Sequence, residues 1–153
     1  FGFHGDLGGI AFQRSLERKA FVMGGEDYKA PAQLLGDFMR GRASKGPGKV
    51  LPSYEPGVVW SDMRELLPEF VCDTLKEAAV KINRTIKGFL FDEAVLTGVE
   101  TRSSSPVRIT REDATCECVS MKHFYPAGEG AGYAGGIISA AVDGMRVAEA
   151  LMK

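Results

Sequence analysis

The residues with the densest chemistry lie near the carboxyl end of the chain. Glu129 stands inside a glycine-rich stretch that carries Gly128, Gly130, Gly132, Gly135 and Gly136. Glycines at this density let backbone come close to a bound group, and a carboxylate among them accepts hydrogen bonds from hydroxyls or amides. A second cluster, Arg102 with Ser103, Ser104 and Ser105 and then Arg108, joins guanidinium forks to hydroxyls. That set suits a phosphate or a carboxylate. An Arg/Ser turn is also an ordinary solvated connection, so its spacing alone identifies no ligand.

Both clusters need elements to hold them. The run His123 to Ala127 reads as a short strand, Gly128 to Gly136 as a turn, and the stretch from Ile137 to the end as a helix. In that helix Ile137, Ala141, Gly144, Ala148 and Leu151 form the expected buried face, with Asp143, Arg146, Glu149 and Lys153 on the wet one. Its first turn leaves unpaired N–H groups and the positive dipole end directed back at the glycines, which suits an anion or an electron-rich ring. Gly130, Gly132 and Gly135 match the letters G-x-G-x-x-G. A Rossmann unit, however, requires a second strand with an acid about 20 positions on, and the chain is expected to stop short of one. Upstream, residues 94–101 read as a strand, and 106–110 with 115–120 as a hairpin, which places the Arg/Ser cluster between strand ends.

The remainder reads as packing. Residues 10–23 form a helix with Phe12, Leu16, Ala20 and Met23 on one face, stopped by Gly24 and Gly25. A second helix is expected to enter at Pro31 and to bury Leu34, Leu35 and Phe38 before Gly41 ends it. Residues 42–57, rich in Gly, Pro, Ser and Lys, read as a surface connection, mobile around Ser44 to Lys49. Asp62 and Glu65 have capping-box spacing ahead of a short helix that breaks at Pro68. Val71, Leu75, Ala79, Ile82 and Ile86 mark a longer helix with Gly88 as its stop. The expected class is α+β, helices around a small sheet.

With 153 residues the chain can bury one modest core. A net charge of -1 with 25% charged residues points away from nucleic acid and from disorder. Cys72, Cys116 and Cys118 lack framework spacing, so reduced thiols and no metal are expected. No apolar run approaches a membrane span and no leader opens the chain, which makes a cytoplasmic protein the expectation.

Several blocks resemble one family. YPAGEGAGYAGGI at 125–137, SAAVDG at 139–144, TGVETR and SSPVRI across 97–109, and YKAPAQ with GDF across 28–38 are similar to the bacterial FAD-dependent, "NAD-utilizing" dehydrogenases, over their C-terminal portion only. The resemblance implies that residues 1–153 are a single C-terminal fragment of a larger two-dinucleotide-type FAD-dependent α/β enzyme. Residues 1–91 would be its mainly helical part, and 92–153 would carry strands, flavin-facing loop and terminal helix. It implies flavin contacts from Gly128, Glu129, Gly130, Gly132, Gly135, Gly136 and Ile137, with Glu129 on the ribityl hydroxyls. Arg102, Ser104, Ser105 and Arg108 become candidates for the ring edge or the substrate. The resemblance also makes Tyr28, Lys29 and Gln33 candidates to face cofactor or substrate, beside the plain reading of a helix entry with exposed polar groups. The implied cofactors are FAD and NAD(P); the implied partners are an N-terminal FAD-binding half and a small-molecule substrate. The fragment alone would be inactive, with bare apolar surface able to dimerise. One position departs from the pattern: His123 stands where the family is expected to place Gly or a small turn residue. The competing reading is an autonomous, non-enzymatic domain that binds a nucleotide or a partner through the glycine loop and has a complete core.

Overall fold

A computed structural model describes residues 2–152. The elements run α1 (Gly8–Met23), β1 (Ala30–Leu34), α2 (Leu35–Arg40), β2 (Val58–Trp60), α3 (Met63–Leu66), α4 (Glu69–Thr85), β3 (Val95–Thr97) and α5 (Ile137–Leu151). The class is α+β, with helices and one small mixed sheet. Two compact units organise the chain: Ser15–Val99, and a second that gathers residues up to Arg14 with those from Glu100 onward.

The Ser15–Val99 unit holds the sheet, ordered β2-β1-β3. Central β1 runs parallel to β2, with Ala30 opposite Val58, and antiparallel to β3, with Leu34 opposite Val95. This corrects the helix expected from Pro31. A segment as short as Ala32 to Leu35 fits strand or helix equally by pattern, and here the sheet claims all but its last residue. Pro31 is tolerated at the end of the β1–β3 ladder, one residue beyond the Ala32–Thr97 pair, where its carbonyl still accepts from the Gly98 amide at 3.1 Å. Helix starts only at Leu35, and Gly41 at φ 68° ends it.

Ala20, Leu35, Phe38, Met63, Leu66 and Cys72 form this unit's core. Gln33 is fully buried and spent on structure: its amide donates to the Arg42 carbonyl at 2.7 Å and its oxygen accepts from the Met63 amide at 2.8 Å. That overturns its expected place beside a ligand. Ser44 is also buried. Its hydroxyl accepts from the Leu34 amide at 2.9 Å and donates to Asp37 at 2.7 Å, so the connection is pinned where mobility was expected to begin. Asp62 caps α3 through the Arg64 amide at 3.0 Å. The Glu65 amide bonds the Asp62 carbonyl at 3.0 Å instead of its carboxylate. At the far end of α4, Asn83 accepts from the amides of Gly88 and Leu90, both at 3.1 Å, and turns the chain where the glycine stop was expected.

The second unit is built from turns and α5. The strands expected at 106–110, 115–120 and 123–127 do not form; one bridge, Arg111 to Cys118, joins these segments among the described residues. A two-stranded hairpin without a sheet beside it is marginal, and here scattered backbone bonds, such as the Val119 amide to the Thr110 carbonyl at 3.1 Å and the Cys118 amide to the Phe124 carbonyl at 2.7 Å, work with side chains to satisfy the groups of a ladder.

Candidate functional site

Arg111 organises the second unit. Its side chain is 2% exposed, and its guanidinium meets the Asp143 carboxylate at 2.5 and 3.0 Å and the Pro126 carbonyl at 2.6 Å. Asp143 also accepts from the Gly128 amide at 2.8 Å. One ion pair thus ties α5 to the start of the glycine loop, across 32 positions of sequence. The Arg111 guanidinium holds the Asp143 carboxyl below the ordinary carboxylate range; partial burial opposes this and the Gly128 amide reinforces it. This corrects the expected faces of α5. Asp143 and Val147 turn inward, whereas Ile137 is 89% exposed and Leu151 is exposed as well. A helix rich in alanine has a shallow apolar pattern, and a buried charge pair outweighs it in choosing the face.

The loop is fixed along its length. The Tyr133 hydroxyl donates to the Ile109 carbonyl at 3.1 Å and accepts from the Arg111 amide at 3.0 Å. The guanidiniums of Arg111 and Arg108 lie 3.7 and 4.8 Å from the Tyr133 ring centroid, and Arg108 Nε donates to the Gly132 carbonyl at 2.9 Å. The Ser105 hydroxyl lies within hydrogen-bond reach of the carbonyls of Val107, at 2.8 Å, and Gly130, at 3.3 Å. Backbone bonds from Ile109 to Ala131 and from Tyr133 to Gly128 complete the lacing.

This construction opens two cavities. The larger, of about 530 Å³, is lined by Arg102, Ser104, Ser105 and Pro106, by Glu129 and Gly130, and by Ile10, Gln13 and Arg14 of α1. The smaller, of about 260 Å³, shares Ser104 and Ser105 and adds Arg108, Gly132, Tyr133, Ala134 and Gly135. The two sequence clusters, more than twenty positions apart, therefore meet. Gly128, Gly136 and Ile137 line neither cavity: Gly128 is buried behind the loop, and Gly136 is the residue from which α5 starts. No side chain caps that start. In the other unit, exposed Tyr28 and Lys29, paired with Asp27 at 2.5 Å, line neither cavity.

Sequence reasoning missed Ile10, Gln13 and Arg14. Their spacing of three and one puts them on one helical face, but nothing local marks that face as the wall of a cleft, and Arg14 reads as generic wet surface. It also missed Tyr133, Arg111 and Asp143 as the scaffold, for which no local spacing exists. The larger cleft falls in the size range of small-molecule sites. It offers two guanidiniums, two hydroxyls, one amide and one carboxylate, with apolar Ile10 and Pro106 between them.

A family model described as "FAD-dependent protein, C-terminal domain-like" matches residues 2–103. A protein of Clostridium beijerinckii, described as an uncharacterized protein, is 50% identical over 147 residues, which is 96% of this chain and 27% of that protein. The chain spans about a quarter of that relative's length.

Proposed function

The chain belongs to the FAD-dependent protein, C-terminal domain-like family, and from that premise we propose that it supplies the flavin-facing part of an FAD-dependent oxidoreductase, a dehydrogenase linked to NAD(P). The observation that carries this reading is the meeting of Glu129 and Gly130 with Arg102, Ser104 and Ser105 around one cleft. The donor set fits a flavin: the Glu129 carboxylate for ribityl hydroxyls, the Arg102 guanidinium with the Ser104 and Ser105 hydroxyls for the carbonyl-rich ring edge, and bare backbone at Gly130, where nothing lies within 4 Å of the missing Cβ.

When bound, the isoalloxazine ring supplies two-electron redox chemistry, and the protein orients and tunes it. Glu129 accepts hydrogen bonds from the ribityl chain. Arg102 and Arg108 place positive charge where the cofactor or an anionic substrate carries negative charge. The uncapped start of α5 adds a fixed positive potential of the same sign. Arg111 and Asp143 stay outside this chemistry and hold the loop in shape. The adenine half of the cofactor is bound by the rest of the longer protein.

Glu129→Ala in that longer protein tests the reading. Charged hydrogen bonds contribute about 1.5 to 3 kcal/mol, so FAD affinity should fall roughly ten- to a hundredfold by fluorescence titration. The Glu129 side chain is exposed, so thermal melting should be unchanged. A folded variant that binds FAD as tightly as the parent would overturn the assignment.

A further inference from the structure

We propose that the α1 wall of the larger cleft is a receptor for the carboxylate of a small organic acid, with Arg14 as its anion-binding residue. This rests on the flavin reading of the loop wall and adds the class of substrate. Ile10, Gln13 and Arg14 share one helical face and line the cleft together. That face is held in place: Gln13 Nε2 donates to the Thr101 carbonyl at 2.5 Å, and a Cβ on Gly9 would lie 2.9 Å from the Pro106 carbonyl oxygen. The helix thus packs about as closely on the 101–106 segment as backbone allows.

Arg14, like the exposed Arg18 and Arg84, has no ion pair among the described residues, but of these three it alone lines the cleft. Arg40, Arg42, Arg64 and Arg111 are each matched to an aspartate, and Arg108 donates to a carbonyl. Arg14 has neither an ion pair nor a hydrogen bond among the described residues. Its fork is open to a ligand. Arg14 puts a positive charge on the α1 wall of the cleft, which concentrates anions there. A planar guanidinium matches a carboxylate in bidentate fashion. Glu129 in the same cleft disfavours a dianion such as phosphate, and Ile10 with Pro106 offers apolar contact to a carbon skeleton. A monoanionic organic acid satisfies all of these.

The test uses the full-length protein with benzoate as probe, followed by calorimetry and, in the flavin-loaded form, by the visible absorbance of the flavin. Wild type should bind benzoate saturably. Arg14→Gln should weaken it about tenfold or more, Arg14→Lys by less, and both should keep the parent's FAD affinity and melting temperature. Inorganic phosphate should compete poorly. The proposal falls if wild type shows no saturable benzoate binding, or if Arg14→Gln binds benzoate as well as the parent. It also falls if phosphate competes as strongly as benzoate, or if Arg14→Gln loses FAD, since Arg14 would then hold the cofactor. Calorimetry needs no flavin: a preparation that takes up no FAD removes the flavin reading, while the benzoate titration still decides this one.

Discussion

At Gly132 the backbone takes φ 83°, and a Cβ there would lie 2.5 Å from the Val107 carbonyl oxygen and 2.9 Å from Arg108 Cα. Both obstacles are backbone and cannot swing aside. Two residues earlier, Gly130 has open space where its side chain would be. The two glycines therefore serve different ends, one shaping the loop and the other leaving room at the cleft. Gly132→Ala should destabilise the protein by more than about 1 kcal/mol. Gly130→Ala should stay within about 0.5 kcal/mol of the parent but bind FAD more weakly. Calorimetric melting and FAD titration of the pair check this; a Gly130→Ala variant with full FAD affinity places the ring elsewhere. His123 makes a related point. Its φ of 60° is a left-handed conformation that favours glycine and that histidine adopts more readily than most residues. Its amide donates to Glu117 at 2.6 Å, so the departure from the resembled pattern keeps the turn.

Among the elements, α5 depends on a single charge pair. Asp143→Asn leaves the buried Arg111 guanidinium without its counter-charge, a loss of about 3 kcal/mol at the lower end for broken buried pairs, because the Asp143 side chain keeps 11% exposure. The same pair sets an acid limit. Asp143 has a lowered folded pKa, so its contribution is complete above the unfolded value of about 3.9 and disappears as pH falls through the lower folded value. Acid unfolding followed by circular dichroism should show that limb in the parent and not in Asp143→Asn; identical profiles would mean the pair is energetically silent. The existence of α5 was legible from its period, as were α1 and α4, because long helices repeat their pattern several times. Its inward face was not, since alanine and glycine on all sides carry little contrast and the deciding partner lies 32 positions away. β1 was misread because a five-residue element offers too few repeats to separate periods of 2 and 3.6. The Arg/Ser and glycine clusters were legible as chemistry by residue type, but the α1 side of their cleft arises only from tertiary folding.

On the scale of the whole molecule, the unit that carries the cleft is small, and much of α5 is exposed. Ile137, Ile138 and Met152 are 89%, 77% and 79% exposed, and Val142 and Met145 are exposed beside them. Contiguous apolar surface of this kind marks a contact with something else, and the Clostridium beijerinckii relative is nearly four times as long as its matched segment. A dinucleotide bound tightly by protein has most of its surface buried, and one open cleft of about 530 Å³ supplies contacts for one end only. The 153-residue chain on its own should therefore fold, bind an apolar fluorescent dye through α5, and bind FAD with a Kd weaker than about 10 µM. The longer protein should be yellow as purified, should bind FAD at least a hundredfold more tightly (about 2.7 kcal/mol), and should lose most of the dye signal. Calorimetry on both forms separates the outcomes. Micromolar or tighter FAD binding by the short chain would show that this unit holds the whole cofactor, and the division of the site between two parts of a longer polypeptide would have to be abandoned.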